Sequence, residues 1–204
     1  MLGAVTRRRW LVWTIALLLV CLDIGVAYGA GTHSTAFYLV NNGVLVLMTV
    51  GITNLWVQGG MKARDLTLLG VGLTVYDYLA TAAFPLMAAM FDRLSGLPFS
   101  PMIGWRVGAG LVGGIGLGDV LLATIFPLVM WKAFSRTAGL IAAGLALLAL
   151  AGVFSLLSND RVFPAMVVLG PIMLAQYLFW RWRCGAERTT QQFRAALSAP
   201  LSIP

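Results

Sequence analysis

The stretch GIGLGDVLLATIF, residues 114–126, places Asp119 behind a run of glycines and ahead of an apolar segment. The chain around it has 204 residues, of which 60% are hydrophobic and only 10% are charged. Soluble domains carry about 25% charged residues, so this composition is typical of a membrane protein. A carboxylate is costly inside an apolar membrane segment. A carboxylate at position 119 therefore indicates a specific structural or functional role.

Apolar runs of about 20 residues predict membrane-spanning helices, because such a helix crosses roughly 30 Å of hydrocarbon at 1.5 Å per residue. The loops between the runs are short, which leaves no room for a second, soluble domain. We predict an all-α, polytopic membrane protein with about six transmembrane helices in a single domain over residues 1–187, followed by a mobile cytoplasmic tail over residues 188–204. The predicted spans, named A to F, cover about 10–29, 36–58, 66–91, 107–131, 138–157 and 162–182.

The net charge of +7 is distributed as a topology signal. If the chain crosses six times, eleven of its 14 Lys and Arg residues fall on one side. Positively charged loops stay in the cytoplasm, so both termini are predicted to be cytoplasmic, and short loops in a compact chain favour a prokaryotic plasma membrane. The basic residues then face the lipid bilayer, and no nucleic acid partner is expected. The N-terminal run also resembles a cleaved signal peptide, but Asp23 and its length favour an uncleaved helix.

Two acids are predicted at the same depth in neighbouring spans. Asp77 precedes the outer end of span C, and Asp119 follows the outer start of span D. Counting residues at 1.5 Å each puts them roughly 21 Å and 18 Å below the outer surface. Two carboxyls at short range cannot both ionise, so the pair holds one proton. One acid and one base then suit the activation of a water molecule against a peptide carbonyl.

Other interpretations of the intramembrane acids stay open. Asp23, Asp77 and Asp119 suit a small proton- or cation-coupled transporter subunit, and a structural contact in a non-catalytic scaffold is a further alternative. Glycines at 110, 114 and 118 predict one helix face that another backbone approaches closely. In span B, Asn41 and Asn42 predict hydrogen bonds between helices.

Three short motifs resemble those of the GxGD intramembrane aspartyl proteases, the family of presenilin, signal peptide peptidase and their microbial relatives. They read Tyr-Asp at 76–77, Gly-Leu-Gly-Asp at 116–119 and Pro-Ala-Met at 164–166, where the family has Pro-Ala-Leu. The resemblance implies that Asp77 and Asp119 form a catalytic dyad. It implies that the flanking motif residues contact the substrate: Tyr76, Gly116, Leu117, Gly118, Pro164, Ala165 and Met166. Family members commonly have nine membrane helices, and spans C to F match the last four.

The activity implied by the resemblance is hydrolysis of peptide bonds within transmembrane segments. Substrates are then transmembrane proteins or peptides, and neither a metal nor an organic cofactor is implied; the oligomeric state is left open. The sequence has no HExxH motif for a zinc protease. Its one histidine, His33, is predicted in a loop, whereas a serine–histidine intramembrane protease needs a histidine within its helices.

Overall fold

The computed structural model describes residues 9–84, 86–94, 97–107, 110–157 and 165–198. The described chain is mostly helical, with one small sheet between its fourth and fifth α-helices. In chain order, the elements are α1 (Arg9–Ala30), α2 (Thr35–Gln58), α3 (Ala63–Tyr78), a π-helix (Leu79–Ala83), α4 (Leu86–Leu94), β1 (Met102–Val107), β2 (Gly110–Gly116), α5 (Leu117–Ala133), α6 (Arg136–Leu157), α7 (Met166–Cys184) and α8 (Thr190–Ser198).

Three of the described helices are long and apolar enough to cross a membrane. They are Trp10–Ala30, Thr35–Gln58 and Arg136–Val153, which correspond to spans A, B and E. Large apolar side chains on these helices point away from the protein, such as Leu18, Leu39 and Leu148, which are 63%, 71% and 69% exposed. Exposed apolar surface of this extent supports membrane association. The complete set of six spans stays a prediction.

Span C is broken rather than continuous. The α-helix ends at Tyr78, one residue after Asp77, and the next turn is π-helical, with the Phe84 amide bonded to the Leu79 carbonyl at 2.9 Å. Phe84 is extended (φ −130°, ψ 127°), as expected for a residue that precedes proline. Pro85 itself lies outside the described residues. Single π-helical turns are frequent at functional sites.

The prediction for span D was wrong over its outer part. Residues 110–116 form β2, which pairs antiparallel with β1, and the helix begins only at Leu117. Gly110 and Gly114 therefore lie in a strand, and the predicted helix face of three glycines does not exist. Glycine adopts extended backbone as readily as helical backbone, and the apolar composition of the run does not distinguish the two.

A close helix contact joins α3 to α7. A Cβ atom built on Gly170 would lie 1.8 Å from the Thr74 Oγ1 and 2.9 Å from the Gly70 carbonyl oxygen. Only glycine fits there, so the backbones of the two helices meet directly. Helices α5 and α6 contribute residues to a buried apolar core, which includes Ile125 and Met130 of α5.

Part of the predicted mobile tail is an ordered helix. The Phe193 side chain on α8 is buried and packs edge-to-face on Trp131 at a ring distance of 6.2 Å. The Arg188 amide donates to the Ala133 carbonyl at 2.9 Å. Residues 188–198 are thus packed against the end of α5, and the prediction of a mobile tail was wrong for them.

Candidate active site

Asp77 is half-buried in the last turn of α3, where it meets the start of α7. Its Oδ2 accepts a hydrogen bond of 3.0 Å from the backbone N–H of Met166. The first amides of a helix have no partner within the helix. A carboxylate is a favourable acceptor at that end. The Asp77 side chain therefore caps α7.

Thr74 contacts the backbone carbonyl of Met166, the residue whose N–H donates to Asp77. Its hydroxyl lies 3.0 Å from the Met166 carbonyl oxygen and 2.9 Å from the Gly70 carbonyl oxygen of its own helix. Thr74 and Asp77 are three residues apart, on one face of α3. Ala165 and Met166 are buried beside them, whereas Pro164 lies outside the described residues. Two residues of the third motif are thus packed against the turn that carries Asp77.

Asp119 is half-buried in the first turn of α5, where the helix macrodipole favours negative charge. Gly116 is the N-cap residue and is extended (φ −61°, ψ 142°), and the Leu117 amide donates to the Pro101 carbonyl at 3.0 Å. A Cβ atom on Gly116 would lie 3.4 Å from the Asp119 Oδ2. The carboxylate therefore folds back over Gly116, towards the strand.

The two aspartates lie on helices that pack together. α3 carries Asp77 in its last turn and packs against α5, which carries Asp119 in its first turn. The pair is built from the end of one helix and the start of another, rather than from two continuous helices at matched depth. Asp77 and Asp119 are both half-buried residues, so part of each is exposed.

The other motif residues differ in their relation to the pair. Gly118 is exposed, and nothing lies within 4 Å of the position where its Cβ would be. Leu117 is half-buried. Tyr76 is 56% exposed on the surface of α3 and has no hydrogen bond to either aspartate. The structure therefore does not bring Tyr76 into the site, and its contact with a substrate stays a prediction.

No protein-family model matches the chain, and no curated protein or solved structure matches it either. The resemblance to the GxGD proteases stays a prediction that rests on three motifs. What the structure adds is a hydrogen bond between Asp77 of the first motif and Met166 of the third, on helices that both pack against the helix of Asp119.

Two asparagines that sequence analysis assigned to helix packing hold a strand instead. The Asn42 Oδ1 accepts from the Gly104 amide at 3.0 Å, and its Nδ2 donates to the Gly104 carbonyl at 2.7 Å. The Asn41 Nδ2 donates to the Met102 carbonyl at 3.0 Å. The prediction of helix–helix bonds was wrong, because these amides pair with β1. Two adjacent amides on an otherwise apolar helix were the signal available in the sequence.

The asparagine clamp, formed by Asn41 and Asn42, holds one edge of the hairpin, and the described residues leave the other edge uncovered at Gly114. In an antiparallel pair, successive residues direct their N–H and C=O groups alternately towards and away from the partner strand. Gly104 points outward to Asn42, so its partner Gly114 points outward on the other edge. Within the described part of the chain, no group outside the hairpin bonds Gly114. The uncovered edge of β2 leads directly to Gly116 and Asp119.

Asp23 is a third buried acid, separate in sequence from the motifs. It is fully buried in α1, and neither of its carboxylate oxygens has a hydrogen-bond partner among the described residues. Over the same residues, no three His, Cys, Asp or Glu side chains are grouped closely enough to hold a metal ion. Asp23 is therefore a buried carboxyl apart from Asp77 and Asp119.

Proposed function

We propose that the protein is an intramembrane aspartyl protease, and that Asp77 and Asp119 hydrolyse peptide bonds within transmembrane segments of other proteins. The observation that carries the proposal is the packing of α3 against α5, with the half-buried Asp77 at the end of α3 and the half-buried Asp119 at the start of α5. The Met166 amide on Asp77 supports it, because it fixes the direction in which that carboxylate faces.

Hydrolysis needs one proton acceptor and one proton donor. The ionised carboxyl takes a proton from water, whose oxygen attacks the peptide carbonyl carbon, and the protonated carboxyl gives its proton to the carbonyl oxygen. Collapse of the tetrahedral intermediate breaks the C–N bond. The carboxyl that took the proton of water gives it to the departing nitrogen, and the other carboxyl, now ionised, takes a proton from a hydroxyl of the intermediate, so that the pair again holds one proton. Because the two carboxyls interact, the proton belongs to the pair rather than to either residue.

The uncovered edge of β2 supports a peptide substrate. A transmembrane helix has to unwind before its carbonyl can be attacked, and the unwound segment then needs new partners for its backbone. A strand edge supplies such partners by β-augmentation. A peptide paired with Gly114 continues past Gly116 towards Asp119, and the empty space at Gly118 leaves room for it.

Transport is the second candidate, and Asp23 favours it. A fully buried carboxyl without a hydrogen-bond partner is unusual unless it binds a proton or a cation. Asp23, Asp77 and Asp119 would then carry protons or cations across the membrane. This candidate predicts flux that follows an ion gradient, without any peptide product.

The experiment that tests the protease proposal is cleavage of transmembrane peptides by the purified protein in detergent micelles. Asp77→Asn and Asp119→Asn are compared with the wild type and with Asp65→Asn. Asp65 is exposed and paired with Arg64 at 3.1 Å, so this control removes a carboxylate outside the site. The Asn side chain at 77 still offers an oxygen to the Met166 amide, which preserves the local structure.

We expect products from the wild type and from Asp65→Asn, and none from the two site variants. Equal cleavage by all four proteins would assign the activity to a contaminant. If no peptide in a varied panel is cut, and ion flux into vesicles falls in Asp23→Asn, the transport candidate replaces the protease.

A further inference from the structure

A cavity lies at the opposite end of α3 from Asp77. It has a volume of about 420 Å³, is open on one side, and is lined by the loop between α2 and α3 and by the ends of α5 and α7, with the segment that enters α8. Of its six charged lining residues, five are basic, and we call this set the basic cavity: Lys62, Arg64, Lys132, Arg181 and Arg188, with Glu187 as the one acid. Neither Asp77 nor Asp119 lines this cavity, so a ligand bound there is independent of the proposed protease activity.

The charges of the basic cavity are not balanced from within. Both oxygens of Glu187 accept from backbone amides, of Ala63 at 2.9 Å and of Arg64 at 3.0 Å. Arg64 is also paired with Asp65 outside the cavity. Lys132 is 4% exposed, and its ammonium donates to the carbonyls of Val57 and Met61 rather than to a carboxylate. A surplus of positive charge is therefore held around an open volume.

Arg188 contributes a donor that is not used. Its Nη2 donates to the Trp131 carbonyl at 2.8 Å, but its Nε is buried and has no hydrogen-bond partner in the described part of the chain. A buried N–H without an acceptor is destabilising. The planar guanidinium group matches the oxygens of phosphate particularly well. An oxyanion in the cavity would find this guanidinium group among the lining residues.

An exposed tryptophan next to the cavity indicates the depth of the cavity in a membrane. Trp182 follows the cavity residue Arg181 and is 83% exposed. Exposed Trp beside Arg is typical of the level at which lipid headgroups meet the hydrocarbon. Basic pockets between membrane helices at this level bind anionic headgroups. We infer that the basic cavity binds the phosphate group of an anionic phospholipid.

The test is the thermal stability of the full-length protein in neutral detergent during titration with short-chain lipids. Dioctanoyl phosphatidylglycerol is compared with dioctanoyl phosphatidylcholine and with inorganic phosphate. The cavity variant is Lys62→Gln, because this exposed side chain makes no capping hydrogen bond to α3, so its removal takes away a positive charge with little change to the fold. The matched control is Arg93→Gln, which removes an exposed positive charge on α4, away from the cavity.

Phosphatidylglycerol should raise the unfolding temperature in a saturable way, and phosphatidylcholine should not. Lys62→Gln should weaken the apparent affinity about fivefold, as expected for one basic residue near an anionic surface, and Arg93→Gln should leave it unchanged. Equal responses to the two lipids, or equal losses in the two variants, would overturn the assignment. If inorganic phosphate stabilises as much as phosphatidylglycerol at the same concentration, the cavity takes a soluble anion and the lipid is excluded.

Discussion

The backbone N–H of Met166, at the start of α7, donates a hydrogen bond of 3.0 Å to the carboxylate of Asp77, at the end of α3, across 89 residues of sequence. This one bond joins the first motif to the third. It makes the position of Asp77 depend on how closely α7 approaches α3. The glycine contact one turn along α7 sets that approach.

Loss of the acceptor at position 77 should destabilise the fold separately from its effect on activity. Asp77→Ala leaves the Met166 amide without a partner in a buried place, which should lower the free energy of unfolding by about 1–3 kcal/mol. Asp77→Asn keeps an oxygen there and should be nearly as stable as the wild type. Chemical unfolding of both variants in the same micelles checks this. Equal stability of the Ala and Asn variants would show that the bond contributes nothing.

Gly170→Ala should loosen the contact between α3 and α7. Its methyl group would collide with the Thr74 hydroxyl and crowd the Gly70 carbonyl, and overpacking of this kind costs about 1–3 kcal/mol. Gly144→Ala is the matched control, since nothing lies within 4 Å of the added atom on α6. Thermal unfolding should show a large loss for the first variant and none for the second. If Gly144→Ala is as unstable, the effect is not due to the contact.

Asn42→Ala should free β1 from α2. It removes both hydrogen bonds to Gly104, so the amides of residues 97–107 should exchange with solvent faster. If the hairpin presents the substrate, cleavage should fall as well. Asn54→Ala is the control on the same helix, because the Asn54 side chain bonds Gln58 within α2. Hydrogen exchange measured by mass spectrometry distinguishes the variants. Unchanged exchange over residues 97–107 in Asn42→Ala would show that Asn42 does not hold β1 in place.

Gly118→Leu should block the site without unfolding the protein. The space around Gly118 is empty, so the side chain fits, but it occupies the volume assigned to the substrate. Cleavage should fall on the order of 100-fold, since misplacing reacting groups by about 1 Å has effects of that size. Gly25→Leu adds the same group to an exposed, open position on α1 and should cut normally. Full activity in Gly118→Leu would place the substrate elsewhere.

The spans that sequence analysis located best are uniformly apolar. Spans A, B and E agree with α1, α2 and α6 to within two residues at each end, because apolar runs of that length fit only a helix or a membrane span. Span D failed because its glycines removed the helix preference from residues 110–116 without lowering their apolar character. Hydropathy alone does not separate a buried strand from a helix.

The candidate site was accessible to sequence analysis through its acids but not through its supports. Asp77 and Asp119 stand out because carboxylates are rare in apolar runs. The clamp by Asn41 and Asn42 and the Glu187 bonds to α3 depend on partners about 60 and 124 residues away. Such pairings follow from tertiary packing, which a local pattern does not contain. The same holds for the tail, because Phe193 is buried against Trp131, which is distant in the sequence.

The bonds of Glu187 impose an order on biosynthesis. The first turn of α3 is capped by a residue 124 positions later in the chain, so the first amides of α3 lack this partner until α4 to α7 have been made. Asp77 likewise lacks its hydrogen-bond donor until Met166 has been made. A nascent chain therefore holds its two aspartates before it holds the groups that orient one of them. Completion of the last long helix is the step that turns two separate acids into a defined site.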